Sequence, residues 1–202
     1  MSGNKKICRL YLELLEKYGS PEKYWPQWCS RNKSKRDREL VVMGMILVQR
    51  TSWHNAELAL KNLLQADLLS IKKIAELPSH EPLIPLIRIA GFYQSKPKRL
   101  YDICRYAAGN SYSREELLKI NGIGPETADT ILLYAADQPT FIIDEYTKRF
   151  VEKHRLADDF DYTFLQKLFE ENLPKDFRVY QDFHALIIFD QKDKKGWRME
   201  KV

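Results

Sequence analysis

Cysteine is scarce in this sequence, and the three present, Cys8, Cys29 and Cys104, stand far apart. That spacing indicates neither a disulfide framework nor a Cys-x-x-Cys metal site. The four histidines, His54, His80, His154 and His184, form no HExxH or similar helical pair. No apolar run approaches the roughly 18 residues of a membrane span, and the opening MSGNKKICRL lacks the apolar stretch of a secretory signal. There is no internal repeat with a period of about 20–50 residues and no low-complexity linker. The expectation is a reducing, cytosolic protein with no metal and no membrane contact.

What the chain does have is apolar bulk and a surplus of positive charge. At 202 residues with 44% hydrophobic side chains it can bury a real core, as one domain or two lobes. Lys and Arg number 33 against 28 Asp and Glu, giving a net charge of +5 and a pI near 9.0. This balance favours a polyanionic partner. The basic residues cluster in RNKSKRDR (Arg31–Arg38), SKPKR (Ser95–Arg99) and TKR (Thr147–Arg149). Any one cluster alone fits a solvated surface. Three of them, with a phosphate-binding turn in the same chain, favour nucleic acid.

Helical periodicity runs through almost the whole sequence. Ile7, Leu10, Leu14, Leu15 and Tyr18 recur at helical spacing and stop at Gly19. Leu40–Val48 is apolar all round, as a central buried helix should be. Ala56–Leu64, Leu68–Leu77, Lys98–Ala108, Phe164–Glu171 and Phe177–Ile188 continue the pattern, and Ala128, Ile131, Leu132 and Ala135 mark one face of another helix. Pro82 and Pro85 interrupt a short segment before Gly91. FIID (Phe141–Asp144) suits a short strand, but nothing offers it a partner. The predicted class is all-α.

Although glycine numbers only 8, two of them stand close together in INGIGPETAD (Ile120–Asp129). Glycines at both ends of Gly122-Ile123-Gly124 allow a tight turn with positive φ and let the backbone approach a ligand. Pro125 suits the first helical position, and the amides opening that helix form an anion-binding nest. Upstream, SREELLKI (Ser113–Ile120) reads as a short helix with Ser113 as N-cap and Glu116 at the capping-box position. Helix, Gly-h-Gly turn, helix is a helix–hairpin–helix, which grips a nucleic-acid phosphate without reading sequence. Taken alone, the same glycines also fit an ordinary helix–helix turn.

The wider stretch Lys119–Phe150 resembles the helix–hairpin–helix (HhH-GPD) DNA glycosylase superfamily, which includes endonuclease III and the adenine-mismatch and alkylbase glycosylases. Its pattern is L-x-G-x-G-x-x-T-A followed by V-D. Here Ile120, Gly122, Gly124, Thr127 and Ala128 match the first part and Ile143-Asp144 the second. Leu47–Thr51 resembles the family's L-x-Q-x-T segment, and Gly91–Leu100 its G-F/Y-Y-x-x-K-A-x-x-L stretch. The resemblance implies two helical lobes, a barrel domain over residues 35–139 and a second domain from residues 1–34 plus 140–202, with DNA across the cleft. It assigns DNA contacts to Gln49, Gly122, Ile123, Gly124, Thr127, Lys148 and Arg149. Gln49 is expected to wedge into the gap left by a flipped nucleotide.

Departures from the family pattern narrow the chemistry. Members that also nick the strand carry a lysine where this chain has Glu126, because a Schiff base with the sugar needs an amine. Hydrolysis of the N-glycosidic bond then remains, with Asp144 stabilising the oxocarbenium-like transition state and positioning or deprotonating water. Asp144 also suits the N-cap of helix EYTKRFVEKH, and both roles can hold together. Larger relatives follow the F-H-A-L-I segment (Phe183–Ile187) with cluster-binding cysteines, whereas this chain continues FDQKDKKGWRMEKV. The implied relatives are therefore the small cluster-free 3-methyladenine DNA glycosylases, with no iron–sulfur cluster and the hairpin as a candidate site for a monovalent cation.

In that branch an aromatic-Trp-Pro element sandwiches the flipped base, and Tyr24-Trp25-Pro26 resembles it. Trp53 takes the place of the second aromatic, and Glu126 lies in the same pocket. An N-alkylated purine is cationic, so aromatic faces attract it and it leaves without much acid catalysis. Packing between lobes is the other role open to Trp25 and Trp53. Leu186 stands where a relative has lysine, which leaves the far side of the pocket and the base specificity unassigned. Met45 replaces the glutamate of the adenine-mismatch branch. The expected function is a monofunctional glycosylase for alkylated purines in base excision repair, acting as a monomer on damaged double-stranded DNA. The alternatives are a glycosylase for oxidised or mismatched bases and a non-enzymatic DNA-binding module.

Overall fold

The computed structural model describes residues 3–109 and 111–193, and every regular element among them is helical. In chain order these are α1 (Gly3–Tyr18), α2 (Pro26–Cys29), α3 (Lys35–Leu47), α4 (Trp53–Gln65), α5 (Ile71–Ala75) and α6 (Leu83–Ile87). There follow α7 (Lys96–Gly109), α8 (Arg114–Lys119), α9 (Pro125–Thr130), α10 (Glu145–His154), α11 (Tyr162–Asn172) and α12 (Phe177–Asp193). A π-helical turn, Ile131–Ala135, continues α9.

The chain forms two compact units, one spanning Lys33–Ile131 and the other built from the residues up to Asn32 and from Leu132 onward. The second boundary lies at 131/132, earlier than the 139/140 read from the sequence. The reason is local packing. Gln181 Nε2 donates to Leu133 O at 2.7 Å, and Tyr134 packs on Trp28 and His184, so the π turn belongs with the chain ends.

In the contiguous unit α3 is central, and Val41, Val42, Met43, Ile46 and Leu47 are fully buried. Its start is a capping box in which Ser34 and Asp37 exchange side-chain and backbone bonds. Helices α4, α7 and α9 pack on it. Lys96 is buried completely and donates to Leu47 O and Ala90 O, both at 2.7 Å, closing the end of α3 and of a 3₁₀ turn. Burial, then the charge of Arg99, lowers its pKa to about 8, so the ammonium form prevails at neutral pH. Helix α5 is shorter than the predicted Leu68–Leu77, because Asp67 at φ 56° reverses the chain and the helix starts only after Ser70.

In the other unit α12 is the axis, packed by α1, α2 and α10. Phe183 meets Tyr11, Phe150 and Phe169 there, and Phe141 stacks on Phe169 at 4.3 Å. The FIID segment forms no strand. Its backbone is satisfied by side chains instead: Glu170 accepts from Phe141 N (2.8 Å) and Gln166 donates to Phe141 O (2.7 Å). Helix α12 runs past the predicted end at Ile188, where Asp190 binds Lys153 (2.6 Å) and Lys17 (3.2 Å).

Candidate active site

The hairpin is built residue by residue. Ile120 leaves α8 extended, Gly122 takes φ +84°, and Gly124 is extended at φ −93°, ψ 178° before Pro125 opens α9. Only Gly122 occupies the left-handed region that favours glycine. Gly124 does not, and a Cβ there would meet no atom within 4 Å. Ile123 is buried and its amide donates to Ile120 O (3.0 Å), which pins the turn to the core. Around it Asn121, Gly122, Gly124, Pro125 and Glu126 are exposed. The amides of Gly124, Glu126 and Thr127 precede the first helical bond, Ala128 N–H to Gly124 O at 2.9 Å, at the positive end of the helix dipole. Ser113 caps α8 by backbone position alone, and Glu116 pairs with Lys119 (2.6 Å), so the expected capping box is absent. The clamp on this hairpin is instead Arg114, bidentate to the fully buried Asp129 at 2.7 and 3.1 Å.

Gln49 and Arg99 brace the turn from beside it. Gln49 Nε2 donates to Gly122 O (3.0 Å) and Thr127 Oγ1 (3.3 Å), while its Oε1 accepts from Arg99 (3.1 Å). The amide expected to wedge into DNA is thus committed to the hairpin in this structure. The Arg99 side chain lies against Gly122, where an added Cβ would come within 2.1 Å of Nε. Sequence reading missed this role of Arg99, whose only signal is the SKPKR cluster. The turn's carbonyls are the groups that would hold a monovalent cation, and Ile120 O and Gly122 O already accept hydrogen bonds. Among the described residues no group of three or more His, Cys, Asp or Glu side chains is placed to bind a metal. Trp53 is the first residue of α4, capped by Ser52 and half-buried.

A separate candidate group, in the unit built from both chain ends, centres on Asp144, the N-cap of α10. Its Oδ1 accepts from Thr147 N at 2.7 Å, and its Oδ2 lies 3.4 Å from His184 Nε2. Thr147 is buried and donates through Oγ1 to Ile142 O (3.3 Å), which fixes the turn carrying the carboxylate. Burial pushes the Asp144 carboxyl up. The opposing pull of His184, with the Thr147 amide, leaves it below the ordinary carboxylate value, so it is ionised at neutral pH. Lys192, near the end of α12, lies over the Tyr146 ring at 5.4 Å. Burial lowers its pKa while the Asp144 charge pulls the other way.

With the glycine hairpin and the Asp144 carboxylate described, the chain can be compared with known proteins. Residues 43–175 match the HhH-GPD superfamily base excision DNA repair protein family. The chain belongs to the HhH-GPD superfamily. A Methanocaldococcus jannaschii protein that carries the provisional name DNA repair glycosylase is 40% identical over 197 residues, covering 90% of this chain and 85% of the relative. Endonuclease III of Thermotoga maritima is 32% identical over 126 residues, 59% of this chain and 57% of its own. Among solved structures, the Helicobacter pylori 3-methyladenine DNA glycosylase bound to 1,N6-ethenoadenine is similar with a TM-score of 0.75 and 27% identity, covering 96% of this chain and 99% of that one.

The remaining HhH-GPD positions are placed as follows. Trp25 is the N-cap of α2 with Pro26 at the first helical position, and its ring meets Phe189 edge-on at 4.9 Å. Trp25 is half-buried and Pro26 exposed. Lys148 is half-buried and Arg149 exposed on the first turns of α10, with Arg149 paired to Glu145 at 3.0 Å. Leu186 is fully buried in α12, where it serves the core. Two residues that sequence reading gave no role stand beside the carboxylate: His184, and Tyr134, whose hydroxyl lies 2.9 Å from His184 Nδ1.

Proposed function

We propose that this HhH-GPD protein is a monofunctional DNA glycosylase that hydrolyses the N-glycosidic bond of alkylated purines such as 3-methyladenine in double-stranded DNA. The observation that carries the reading is Asp144, half-buried yet ionised, with one oxygen held by the Thr147 amide and the other toward His184. A carboxylate already fixed before substrate arrives needs no reorganisation to stabilise positive charge at the sugar. An N3-alkylated adenine departs as a neutral base, leaving an oxocarbenium-like sugar opposite Asp144. Water adds to that carbon and gives its proton to the carboxylate or to solvent. Trp25 and Trp53 are the aromatic faces assigned to the cationic base. The similarity to a 3-methyladenine DNA glycosylase supports this lesion class.

Glu126 at the hairpin supports hydrolysis without strand nicking, since a carboxylate forms no Schiff base. The protein is proposed to work as a monomer and without an iron–sulfur cluster. The test uses duplexes each carrying one lesion, scored for free base and for strand breaks before and after alkali, with borohydride present in a parallel set. Release of alkylated purine with breaks only after alkali is the expected result. A borohydride-trapped adduct, whether through Lys192 or any other lysine, would defeat the monofunctional assignment.

A further inference from the structure

Asp144 caps α10 through Oδ1, and its Oδ2 faces His184 Nε2 at 3.4 Å. His184 is buried at 5% exposure, and its Nε2 makes no hydrogen bond in this structure. Its Nδ1 lies 2.9 Å from the Tyr134 hydroxyl, which is also 3.1 Å from Gln181 O. Counting protons then decides what Nε2 carries. A tyrosine hydroxyl has one proton to give. If it goes to Gln181 O, Nδ1 must be an N–H donating to the hydroxyl oxygen. A neutral ring would then aim its Nε2 lone pair at a carboxylate, so the compatible ring carries a second proton there. If the hydroxyl proton goes to Nδ1, the neutral ring carries its own proton on Nε2. Both arrangements present an N–H to Asp144 Oδ2.

The large majority of buried side-chain polar atoms are hydrogen-bonded. His184 keeps a buried donor whose nearest acceptor is the carboxylate, at a length typical of catalytic contacts that tighten when substrate binds. Tyr134 also meets Trp28 edge-on at 5.4 Å, so the same ring ties α2, which carries Trp25, to the Asp144 site. We infer that His184, held by Tyr134, is a positioning residue for Asp144, closing a hydrogen bond from Nε2 to Oδ2 and so keeping the carboxylate ionised and in one orientation. The inference rests on the reading of Asp144 as the catalytic carboxylate.

The groups that face the pair within this unit are His184 and Lys192 from α12, the Thr147 amide from α10 and Tyr134 from the π turn. Asp182 and Cys29 act in turn on Tyr134. Burial raises the Asp144 carboxyl, and His184 is the largest influence lowering it. Without His184 the carboxyl is protonated at a pH where the wild type is still ionised, so the acid limb of activity moves to higher pH. The experiment is single-turnover release of 3-methyladenine from methylated duplex DNA across the acid range, expressed per folded molecule. The proteins are wild type, His184→Ala, His184→Gln, Tyr134→Phe and Asp144→Asn.

His184→Ala should lose about 100-fold in rate, as expected for a misplaced reacting group, with its acid limb at higher pH. His184→Gln keeps an N–H within reach of Oδ2 without a positive charge and should recover part of that rate. Tyr134→Phe should lose roughly 10-fold, the equivalent of one hydrogen bond. If His184→Ala does not fold, His184→Gln carries the comparison, with a reduced rate and a raised acid limb. Folded His184 variants with wild-type rate and an unmoved acid limb overturn the inference, and an inactive Asp144→Asn beside them leaves the glycosylase reading standing. Wild-type base release by Asp144→Asn overturns that reading and the inference with it.

Discussion

At the scale of single residues, one carboxylate does two jobs that use different oxygens. Asp144 ends the loop and starts α10 through Oδ1, and its Oδ2 is turned toward His184. The first job was legible in the sequence, because an N-cap shows in the run of residues after it. The partnership with His184 was not, since 40 residues separate the two and nothing local to His184 announces it. The same holds for Arg99 against Gly122 and for Tyr134 against His184, contacts that only the folded chain creates. Trp53 is a more local matter, standing first in α4 and half-buried. If its ring stacks on a cationic base, Trp53→Ala should lose roughly 5- to 150-fold in 3-methyladenine release, from about 1–3 kcal/mol of stacking. Trp53→Phe should lose less, because a π face remains. Rates measured beside circular dichroism check this, and a folded Trp53→Ala with unchanged release contradicts the stacking role.

At the scale of elements, the hairpin separates a glycine the fold needs from one a ligand would need. Gly122 sits at φ +84° with Arg99 across it, so Gly122→Ala should destabilise by about 1–2 kcal/mol and disturb the Gln49 bridge. Gly124→Ala should fold and melt like the wild type, because its backbone is extended and its Cβ meets nothing. Any loss of duplex affinity in Gly124→Ala then reports a phosphate held close to the backbone, and that loss should be the same for damaged and undamaged DNA. A loss confined to damaged duplex would mean that the hairpin touches the base. Lys96 is the other element-scale device, joining the ends of α3 and the 3₁₀ turn. Lys96→Met leaves two buried carbonyls without a donor, at about 3 kcal/mol. Calorimetry should find the thermal midpoint lower by about 6–12 °C for a chain of this size. The helices themselves were legible from apolar spacing. The errors fell where a left-handed residue such as Asp67 or a distant ion pair such as Asp190 with Lys153 overrides local pattern.

At the scale of the whole molecule, a contiguous unit carries the glycine hairpin and a unit made from both chain ends carries the carboxylate. That division was readable in outline, since the HhH-GPD pattern spans both parts. Its second boundary was not, because the helix opened by Pro125 runs on into a π turn that packs with the chain ends. In the proposed function each unit has a different task, sequence-independent grip for one and charge stabilisation for the other, so losing the carboxylate should cost rate and spare affinity. Release of free 3-methyladenine from methylated duplex, measured in single turnover for wild type and Asp144→Asn together with duplex affinity, tests this most directly. Asp144→Asn should bind duplex as tightly as the wild type or slightly more so and release base at least about 100-fold more slowly. A folded Asp144→Asn protein within roughly threefold of the wild-type rate, set against that 100-fold expectation, would contradict it and leave Asp144 as a helix cap alone.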